Sequence, residues 1–419
     1  MGRWCWYMVK RLNMIALLLL FVGVFVIILA NFNLFVLWRA PSLPVIWTLD
    51  LHSNVFTSPT IDSNGTLYVI DENKNLSAVS SDGELKWRFN LDDLTRGEPI
   101  VSEDGTIYVY TSNGTLYSIT SDGVLKWKLE KVVLPFSSVT LASDGNIYAC
   151  CNVASDNEQE RPTITGFAKV TLDGNVEILN ENISFQAIFE RQDGKFYAVN
   201  QNGTVYLVSK SGEVLWEKNF TNSIFKIGFG LFTLPRGCVK ADQEFIYSSS
   251  GGEVFSTSEQ GILMWKFSGK SNSFFCPVVG NDGTLYLGYV NDGLSTSTIY
   301  ALDPKGKVKW KYDLQGGISA HVIVCEDDQS KEVIYITSAD GYIYKLTSDG
   351  KLVAKFKSQN SSGFYTSAVL SSEGILYAVS SDGRIYALKT NSKVSTNSTW
   401  YTKSANFENT RSVRNFMEK

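Results

Sequence analysis

Short apolar segments alternate with Gly-bearing turns along most of the chain. Residues 103–108 (Glu-Asp-Gly-Thr-Ile-Tyr) and 281–286 (Asn-Asp-Gly-Thr-Leu-Tyr) show the unit, an Asp-Gly pair followed by a strand centred on Tyr. Gly accepts the positive φ that tight hairpins need, and alternating apolar side chains are typical of a β-strand. The pattern therefore predicts short antiparallel strands joined by tight turns.

The unit repeats along the chain, and a Trp marks most of its copies. The marker positions are Trp47, Trp87, Trp127, Trp216, Trp265 and Trp310. With one vacant position between Trp127 and Trp216, their mean spacing is about 44 residues, which is typical of a β-propeller blade of four strands. We therefore predict an all-β, eight-bladed β-propeller of four-stranded antiparallel blades. Seven blades is the alternative, because the fifth unit is the most degraded.

The first and last units are incomplete in complementary ways. Residues 45–50 carry Trp47 but lack the inner strands that normally precede such a Trp, whereas residues 368–388 supply inner strands without a Trp strand. We expect the N-terminal strand to complete the last blade and close the ring. The expected blades span 58–89, 98–129, 137–179, 185–220, 225–267, 274–312 and 319–356, and 366–388 together with 45–50.

A long apolar segment precedes the repeats. Residues 14–30 are apolar and uncharged, and apolar character continues to Trp38. This is long enough for a helix to cross about 30 Å of hydrocarbon. The basic residues before it are Arg3, Lys10 and Arg11, and only Arg39 follows closely. The positive-inside rule then predicts a cytoplasmic N-terminus and an extracytoplasmic propeller at the cell surface, in the periplasm or in a lumen.

A cleaved signal peptide is the alternative to this signal-anchor helix, and a buried globular helix is a third interpretation. Ile28 disfavours cleavage after Ala30, because the −3 position of a cleavage site is usually small. The expected organisation is a cytoplasmic segment (1–13), a transmembrane helix (14–38), a linker (39–44), the propeller (45–390) and a polar, disordered tail (391–419).

The composition of the chain argues against several classes of function. The net charge of −4 is mixed along the chain, which argues against nucleic-acid binding. Five of the six cysteines lie beyond the apolar segment at irregular spacing, which is not a disulfide framework. The only histidines are His52 and His321, and no Cys/His spacing resembles a zinc site. We therefore expect neither a metal nor a cofactor.

Five stretches resemble a known docking motif: 78–87, 118–127, 207–216, 256–265 and 301–310. In the pyrroloquinoline-quinone-type, or quinoprotein alcohol dehydrogenase-like, propeller superfamily, an Ala near the end of the third strand is followed by a Gly turn and a Trp. That Trp docks between adjacent blades, so the resemblance implies a docking role for the six Trp residues. The Ala-to-Trp span is shorter here than in the dehydrogenases. The chain is thus similar to non-catalytic members such as the propeller lipoprotein of the bacterial outer-membrane β-barrel assembly machine.

Cys150 and Cys151 are adjacent, and dehydrogenases of this superfamily often hold a disulfide of adjacent cysteines against the quinone. The resemblance therefore implies an alternative function, a membrane-tethered, quinone-dependent oxidoreductase. No catalytic Asp, calcium-binding set or Cys-x-x-Cys-His haem motif can be matched in the sequence. We expect the two cysteines to be strand residues facing opposite ways, and we nominate no catalytic residue.

The surface features that remain are sequons and insertions. Asn-x-Ser/Thr sequons, which can carry N-glycans outside the cytoplasm, occur at Asn64, Asn75, Asn113, Asn182, Asn202, Asn219, Asn360 and Asn397. Insertions occur at 152–162, 220–240, 291–298 and 326–332. Because loops on a rigid scaffold often carry binding sites, we expect a membrane-anchored, non-catalytic platform that recognises protein or glycan partners through blade-edge loops. A scaffold within a larger assembly is a further alternative.

Overall fold

The structure is a computed structural model. It describes residues 40–95, 97–134, 137–152, 165–220, 236–240, 242, 244–248, 252–269, 277–291, 296–316 and 321–395. The chain divides into two compact units, Met1–Pro41 and Ser42–Lys419. The predicted cytoplasmic segment and the predicted transmembrane helix lie outside the described residues. Among the described residues, no helix is long and apolar enough to cross a bilayer.

The second unit is built from short strands. In chain order they are β1 (Val45–Asp50), β2 (Thr60–Ile61), β3 (Leu67–Ile70), β4 (Asn75–Val79), β5 (Leu85–Asn90), β6 (Ile100–Val101), β7 (Ile107–Tyr110), β8 (Leu116–Ile119), β9 (Leu125–Leu129), β10 (Val139–Leu141), β11 (Ile147–Asn152), β12 (Thr165–Val170), β13 (Val176–Asn180), β14 (Ala187–Glu190), β15 (Phe196–Val199), β16 (Thr204–Val208), β17 (Val214–Asn219), β18 (Arg236–Val239), β19 (Phe245–Ser248), β20 (Glu253–Thr257), β21 (Leu263–Ser268), β22 (Val278–Val279), β23 (Leu285–Val290), β24 (Ser297–Leu302), β25 (Val308–Leu314), β26 (His321–Glu326), β27 (Glu332–Thr337), β28 (Tyr342–Thr347), β29 (Leu352–Lys357), β30 (Val369–Leu370), β31 (Ile375–Val379), β32 (Arg384–Lys389) and β33 (Lys393–Val394). A short 3-10 helix spans Gln359–Ser361.

Eight antiparallel sheets contain these strands, and each sheet is one blade. Blades 1 to 6 use β2–β5, β6–β9, β10–β13, β14–β17, β18–β21 and β22–β25 in chain order. Blade 7 is β26–β29 with β33 added beside β26, and blade 8 is β30–β32 completed by β1. The eight-bladed propeller is confirmed, and the seven-bladed alternative is wrong.

The order of strands gives the ring two faces. The first strand of each blade is innermost and the fourth is outermost. One face, here named the turn face, carries the turns between the first and second strands and between the third and fourth strands. In blade 1 these turns are residues 62–66 and 80–84. The opposite face, the loop face, carries the turns between second and third strands and the loops between blades, which are 71–74 and 91–99 for blade 1.

The first described strand closes the ring. β1 pairs antiparallel with β32, with Trp47 opposite Ala387 and Asp50 opposite Arg384. Arg384 Nη2 lies 2.6 Å from Asp50 Oδ2, so an ion pair joins the two ends of the propeller sequence. The closure expected from the incomplete first and last units is therefore found.

The residues just before β1 lie on the turn face of blade 8. Ser42 forms a parallel bridge with Lys355 of blade 7, and Leu43 is buried. The Pro44 carbonyl accepts a hydrogen bond from the Lys389 amide at 2.9 Å, at the end of the third strand of blade 8. The chain therefore enters the ring from the turn face.

Each of the six marker Trp residues docks onto the next blade. The indole N–H donates to a carbonyl in the third-to-fourth turn of that blade, in the pairs Trp47–Ser81 (2.8 Å), Trp87–Ser121 (2.8 Å), Trp127–Leu172 (2.8 Å), Trp216–Glu259 (2.9 Å), Trp265–Pro304 (3.0 Å) and Trp310–Ser348 (2.7 Å). The indole also covers the Gly of the same turn. At Gly123 (φ +81°), an added Cβ would lie 2.7 Å from the Trp87 ring. Gly is therefore required both for the turn and for close approach of the indole.

Two blades lack a Trp at this position. Ile178 and Ala354 take the Trp position in blades 3 and 7, opposite Ala168 and Lys345. In blade 3, Asn180 Nδ2 reaches the Gly212 carbonyl of blade 4 at 2.8 Å. A side-chain amide thus replaces the indole as the donor.

The core lies between blades. Inner strands such as β3, β7 and β15 are buried at every residue, because each blade packs on a neighbour through both faces. Tyr hydroxyls at the margins of these layers reach carboxylates, as Tyr68 does to Asp62 at 2.9 Å and Tyr148 to Asp144 at 3.0 Å. The recurring Tyr residues are packing residues with polar tips.

The end of the described chain differs from the predicted tail. Residues 390–395, here named the C-terminal strap, cross the turn face from blade 8 to blade 6. Within the strap, β33 pairs with β26, and Ser392 Oγ lies 2.7 Å from the buried Tyr335 hydroxyl. Ser392 and Ser395 are buried despite the polar composition. The propeller therefore continues past 390, and residues 396–419 lie outside the described residues.

We expect Trp127→Ala to lower the free energy of unfolding by about 3 kcal/mol, the low end for truncating a large core aromatic, because the indole is partly exposed. Its hydrogen bond to Leu172 and its contact with Tyr108, with centroids 6.0 Å apart, would also be lost. Urea unfolding followed by circular dichroism measures the change. Val124→Ala in the same blade is the control, because Val124 is 62% exposed. Equal unfolding midpoints for the two variants would contradict the docking role.

Two C-terminal truncations test the strap. Ending the chain after Lys389 removes the β33 pairing and leaves the buried Tyr335 hydroxyl without Ser392. We expect a loss of about 2–3 kcal/mol, at about 1 kcal/mol for each hydrogen bond removed. Ending the chain after Ser395 keeps the strap and should leave thermal unfolding unchanged. If both truncations unfold like the full chain, the strap does not stabilise the ring.

Candidate functional site

The adjacent cysteines lie inside the propeller wall. Cys150 and Cys151 belong to β11, opposite Phe167 and Gly166 of β12, and both are free and buried. Cys150 Sγ accepts the Phe185 amide hydrogen at 2.9 Å, whereas Cys151 Sγ donates to the Gly166 carbonyl at 3.2 Å. Consecutive residues of a strand face opposite ways, and here both sides are packed. The cysteines are therefore not arranged as one surface.

Burial controls the chemistry of both thiols. Loss of hydration raises the pKa of Cys150 far above that of a free thiol and raises the pKa of Cys151 to about 11. A quinone held against this pair would need the two sulfur atoms joined and facing one open space. The two free, oppositely directed thiols do not fit such a group.

The two histidines belong to different parts of the propeller: His52 follows β1, and His321 begins β26. His52 is exposed at φ 57° just after β1, and its Nδ1 lies 3.4 Å from Asp50 Oδ1. His321 begins β26 in blade 7. Over the described ranges, no group of three or more His, Cys, Asp or Glu side chains could hold a metal ion.

The structure describes the four predicted insertions to different extents. Most of 152–162 and of 220–240, and half of 291–298, lies outside the described residues. The charged stretch 326–332 is a tight hairpin rather than an extended loop, because Glu326 pairs directly with Glu332 across β26 and β27. This segment is therefore a blade turn that joins the first two strands of blade 7.

That hairpin carries one buried carboxylate, Glu326, and one half-buried carboxylate, Glu332, which connect blades 6 and 7. Glu332 accepts hydrogen bonds from the Tyr286 hydroxyl and the Asn281 amide, each at 2.5 Å. Asn281 Nδ2 also donates to Glu326 at 3.2 Å, and Lys393 of the strap lies 3.6 Å from Glu326. Burial raises the pKa of Glu332 above its usual value. Every contact is internal, so we interpret the group as an inter-blade joint.

The sequons are distributed unevenly between the faces. Of those in the described residues, Asn64 lies on the turn face, and the loop face carries Asn75, Asn113, Asn182, Asn202, Asn219 and Asn360. Three of these side chains are already engaged. Asn75 Nδ2 contacts both Asp71 oxygens at 3.2 and 3.1 Å, and Asn219 Nδ2 donates to the Asn202 carbonyl at 3.0 Å. Asn113 Oδ1 accepts from the Thr111 and Thr115 hydroxyls at 2.7 and 2.8 Å. Asn397 lies outside the described residues.

Three neighbouring inter-blade loops expose large apolar side chains on the loop face. Phe56, Leu94 and Tyr365 are 60%, 46% and 39% exposed, and they lie in the loops between blades 8 and 1, 1 and 2, and 7 and 8. The Phe56 and Tyr365 ring centroids are 6.4 Å apart and tilted by 54°. We name these three residues the loop-face aromatic patch. Exposed aromatic residues on a rigid scaffold are typical of interaction surfaces.

This patch is not evident from the sequence. Phe56 and Tyr365 lie near opposite ends of the chain and become neighbours only when β1 completes blade 8. The sequence does show large apolar residues in these inter-blade loops, at positions where the repeat does not require them, and this is the feature that could have indicated the patch. The patch is the candidate functional site that the described residues offer.

Two family models match parts of the chain. The model of outer membrane protein assembly factor BamB matches residues 36–159, and the model of the lambda-carrageenase beta-propeller domain matches residues 292–419. Each match covers less than a third of the chain. A search of curated proteins found no significant match.

Solved structures with the same architecture include natural and designed propellers. BamB from Moraxella catarrhalis superposes with a TM-score of 0.61 at 14% identity, covering 83% of this chain and 100% of that chain. The C-terminal WD40 domain of Sif2 gives 0.60 at 14% identity (84% and 99% covered), and the computationally designed Ika8 protein gives 0.59 at 13% (84% and 99%). At these identities the structural likeness establishes the fold alone. Together, the docked Trp repeats and the match over residues 36–159 make the chain similar to propellers of the pyrroloquinoline-quinone type such as BamB.

Proposed function

We propose that this protein is a membrane-anchored, non-catalytic interaction platform whose loop face binds a protein partner. The observation that carries the proposal is the loop-face aromatic patch. Its three side chains come from adjacent loops of one closed ring, so they are held in fixed relative positions before a partner arrives. Binding to a preorganised surface loses less conformational entropy than ordering a flexible loop.

The chemistry of the patch favours a protein partner. Phe and Tyr bury large apolar areas on binding, and the Tyr hydroxyl keeps one polar contact available. The resemblance to BamB, named as an outer membrane protein assembly factor, supports a role in protein assembly. Glycans, the other partner class expected from the sequence, would be recognised by aromatic stacking combined with several polar groups.

The anchor is proposed from the sequence. Residues 14–38 have the length and apolar character of a signal-anchor helix, and the basic residues before them favour an extracytoplasmic propeller. The chain enters the ring through Ser42 on the turn face, the face opposite the aromatic patch. An anchored ring would then present the aromatic patch to partners outside the cytoplasm.

The non-catalytic character is supported by the state of the thiols. Cys150 and Cys151 are the residues on which the oxidoreductase alternative depended. Both are buried and hydrogen-bonded within the wall, with raised pKa values that leave almost no thiolate at neutral pH. The described residues offer no favourable placement for quinone chemistry at this pair.

A photocrosslinking residue at position 56, in the full chain in its native membrane, tests the proposed surface. We expect a discrete protein adduct that mass spectrometry identifies. Its yield should fall about tenfold with Tyr365→Ala, because an aromatic hot spot contributes more than 1 kcal/mol. The same crosslinker at Gln201, an exposed loop-face residue of blade 4, is the control. Equal adducts from both positions, or insensitivity to Tyr365→Ala, would refute the patch as the binding surface.

Thiol reactivity tests the non-catalytic assignment. With Cys5 and Cys276 changed to Ser, we expect Cys150 and Cys151 to resist a thiol reagent at pH 8 in the folded protein. Both should react after denaturation, because burial rather than oxidation protects them. Alkylation followed by mass spectrometry gives the count. Finding a Cys150–Cys151 disulfide under non-reducing conditions would restore the quinone alternative.

A further inference from the structure

The remaining exposed apolar side chains share one location. We name the turn-face rim as the third-to-fourth turn of each blade together with the first three residues of its outermost strand. Apart from the loop-face aromatic patch, all the large apolar side chains exposed in the described residues lie on this rim. They are Val45, Ile46, Leu85, Val124, Leu125, Leu172, Val176, Ile178, Leu215, Ile262, Leu263, Met264, Val308 and Val353.

The rim extends around the whole ring, since every blade contributes at least one of these side chains. The most exposed are Val124 (62%), Ile262 (61%), Met264 (58%) and Ile46 (49%), in blades 2, 5, 5 and 8. The other ends of the outermost strands, toward the loop face, expose no large apolar side chain among the described residues. Among the described residues this apolar margin lies on the turn face, which indicates that the turn face meets an apolar partner.

Lysines share the rim with the apolar residues. The residue before the docked Trp is Ile46, Leu215 or Met264 in three blades and Lys86, Lys126 or Lys309 in three others. Each Lys extends its stem along its own blade, with Nζ 3.4, 3.2 and 2.7 Å from Thr66, Thr106 and Thr284. Lys places a long apolar stem below a charged tip, which suits the boundary between water and lipid. This mixture of apolar and Lys side chains is therefore compatible with a bilayer interface.

The start of the propeller fixes which partner can reach the rim. Ser42 is held on the turn face, and residues 39–41 alone separate it from Trp38, the end of the apolar segment. Four chain steps reach about 14 Å at full extension. If residues 14–38 span the membrane, as the proposed function states, the turn face at blade 8 must lie within that distance of the bilayer surface.

The sequons favour the same orientation. Six of the seven sequons in the described residues lie on the loop face. Sugars there would project away from a bilayer that faced the turn face. The apolar rim and the sequons thus separate on opposite faces of the ring.

We propose that the propeller lies with its turn face on the bilayer, its apolar rim inserted among the lipid headgroups and its loop face directed away from the membrane. This inference rests on the proposed anchor. The occupant of the rim is the lipid surface that carries the anchor, because the tether is too short to hold the rim far from it. The bilayer thereby restricts the orientation of the aromatic patch toward partners.

The test uses the full chain in phosphatidylcholine vesicles that contain a lipid with a nitroxide on its headgroup. With Cys5 and Cys276 changed to Ser, a single fluorescent label is placed through Ile46→Cys, Met264→Cys or Asn113→Cys. Position 46 adjoins the anchor, position 264 lies on the far side of the rim, and position 113 is on the loop face. We expect the first two labels to lose most of their fluorescence when the nitroxide lipid is present and the third to lose little.

The outcomes separate the inference from the proposed function. Protein that stays with the vesicles after an alkaline carbonate wash has a working anchor. If such protein shows quenching at position 46 but not at 264, or at neither position, the flat orientation is refuted and the anchor is retained. Protein that carbonate releases would refute the anchor itself. If a protein partner rather than lipid covers the rim, the label at position 264 will be shielded from solvent in native membranes but will not be quenched by the nitroxide lipid in pure vesicles. That result would also overturn the inference. Circular dichroism of each labelled variant confirms that the ring is folded.

Discussion

The ring depends on one repeated contact, an indole that lies over the Gly of a neighbouring turn and donates to a carbonyl of that turn. Each docked Trp pairs its indole N–H with a carbonyl of the next blade and covers the turn Gly of that blade, so it links two blades. Since no blade buries both of its faces alone, stability comes from these junctions as much as from the sheets. The constraint extends to Gly, because a side chain at Gly123 or Gly350 would strike the indole of Trp87 or Trp310.

The ring tolerates the loss of an indole where another group takes over the contact. Asn180 donates to Gly212 between blades 3 and 4, and Arg191 joins blade 4 to Glu259 of blade 5 at 2.8 Å beside the Trp216 junction. Arg191 is almost fully buried and also contacts Asp193 and Tyr197. This charged group is tolerated in the interior because each of its three nitrogens has a hydrogen-bond partner. The joints are alike in position and varied in chemistry.

Much of the fold could be predicted from the sequence because the repeat fixes turn and docking residues at constant spacing. The seventh blade, for example, was expected over 319–356, and its strands run from His321 to Lys357. The strap could not be predicted, because its polar composition resembles a disordered tail until Tyr335 and Glu326 provide partners. The candidate site was missed for a similar reason, since Phe56 and Tyr365 meet only in the closed ring.

Closure by β1 has a consequence for how the protein is made. The strand that completes blade 8 is among the first propeller segments to leave the ribosome, and the strand that it pairs with, β32, is among the last. Blades 1 to 7 can form during synthesis, but the ring cannot be sealed until translation has passed Lys389. Until then, the nascent protein exposes an unpaired β1 and an uncovered flank of blade 1. During that interval, the unpaired strand and the uncovered flank are surfaces that a chaperone could bind.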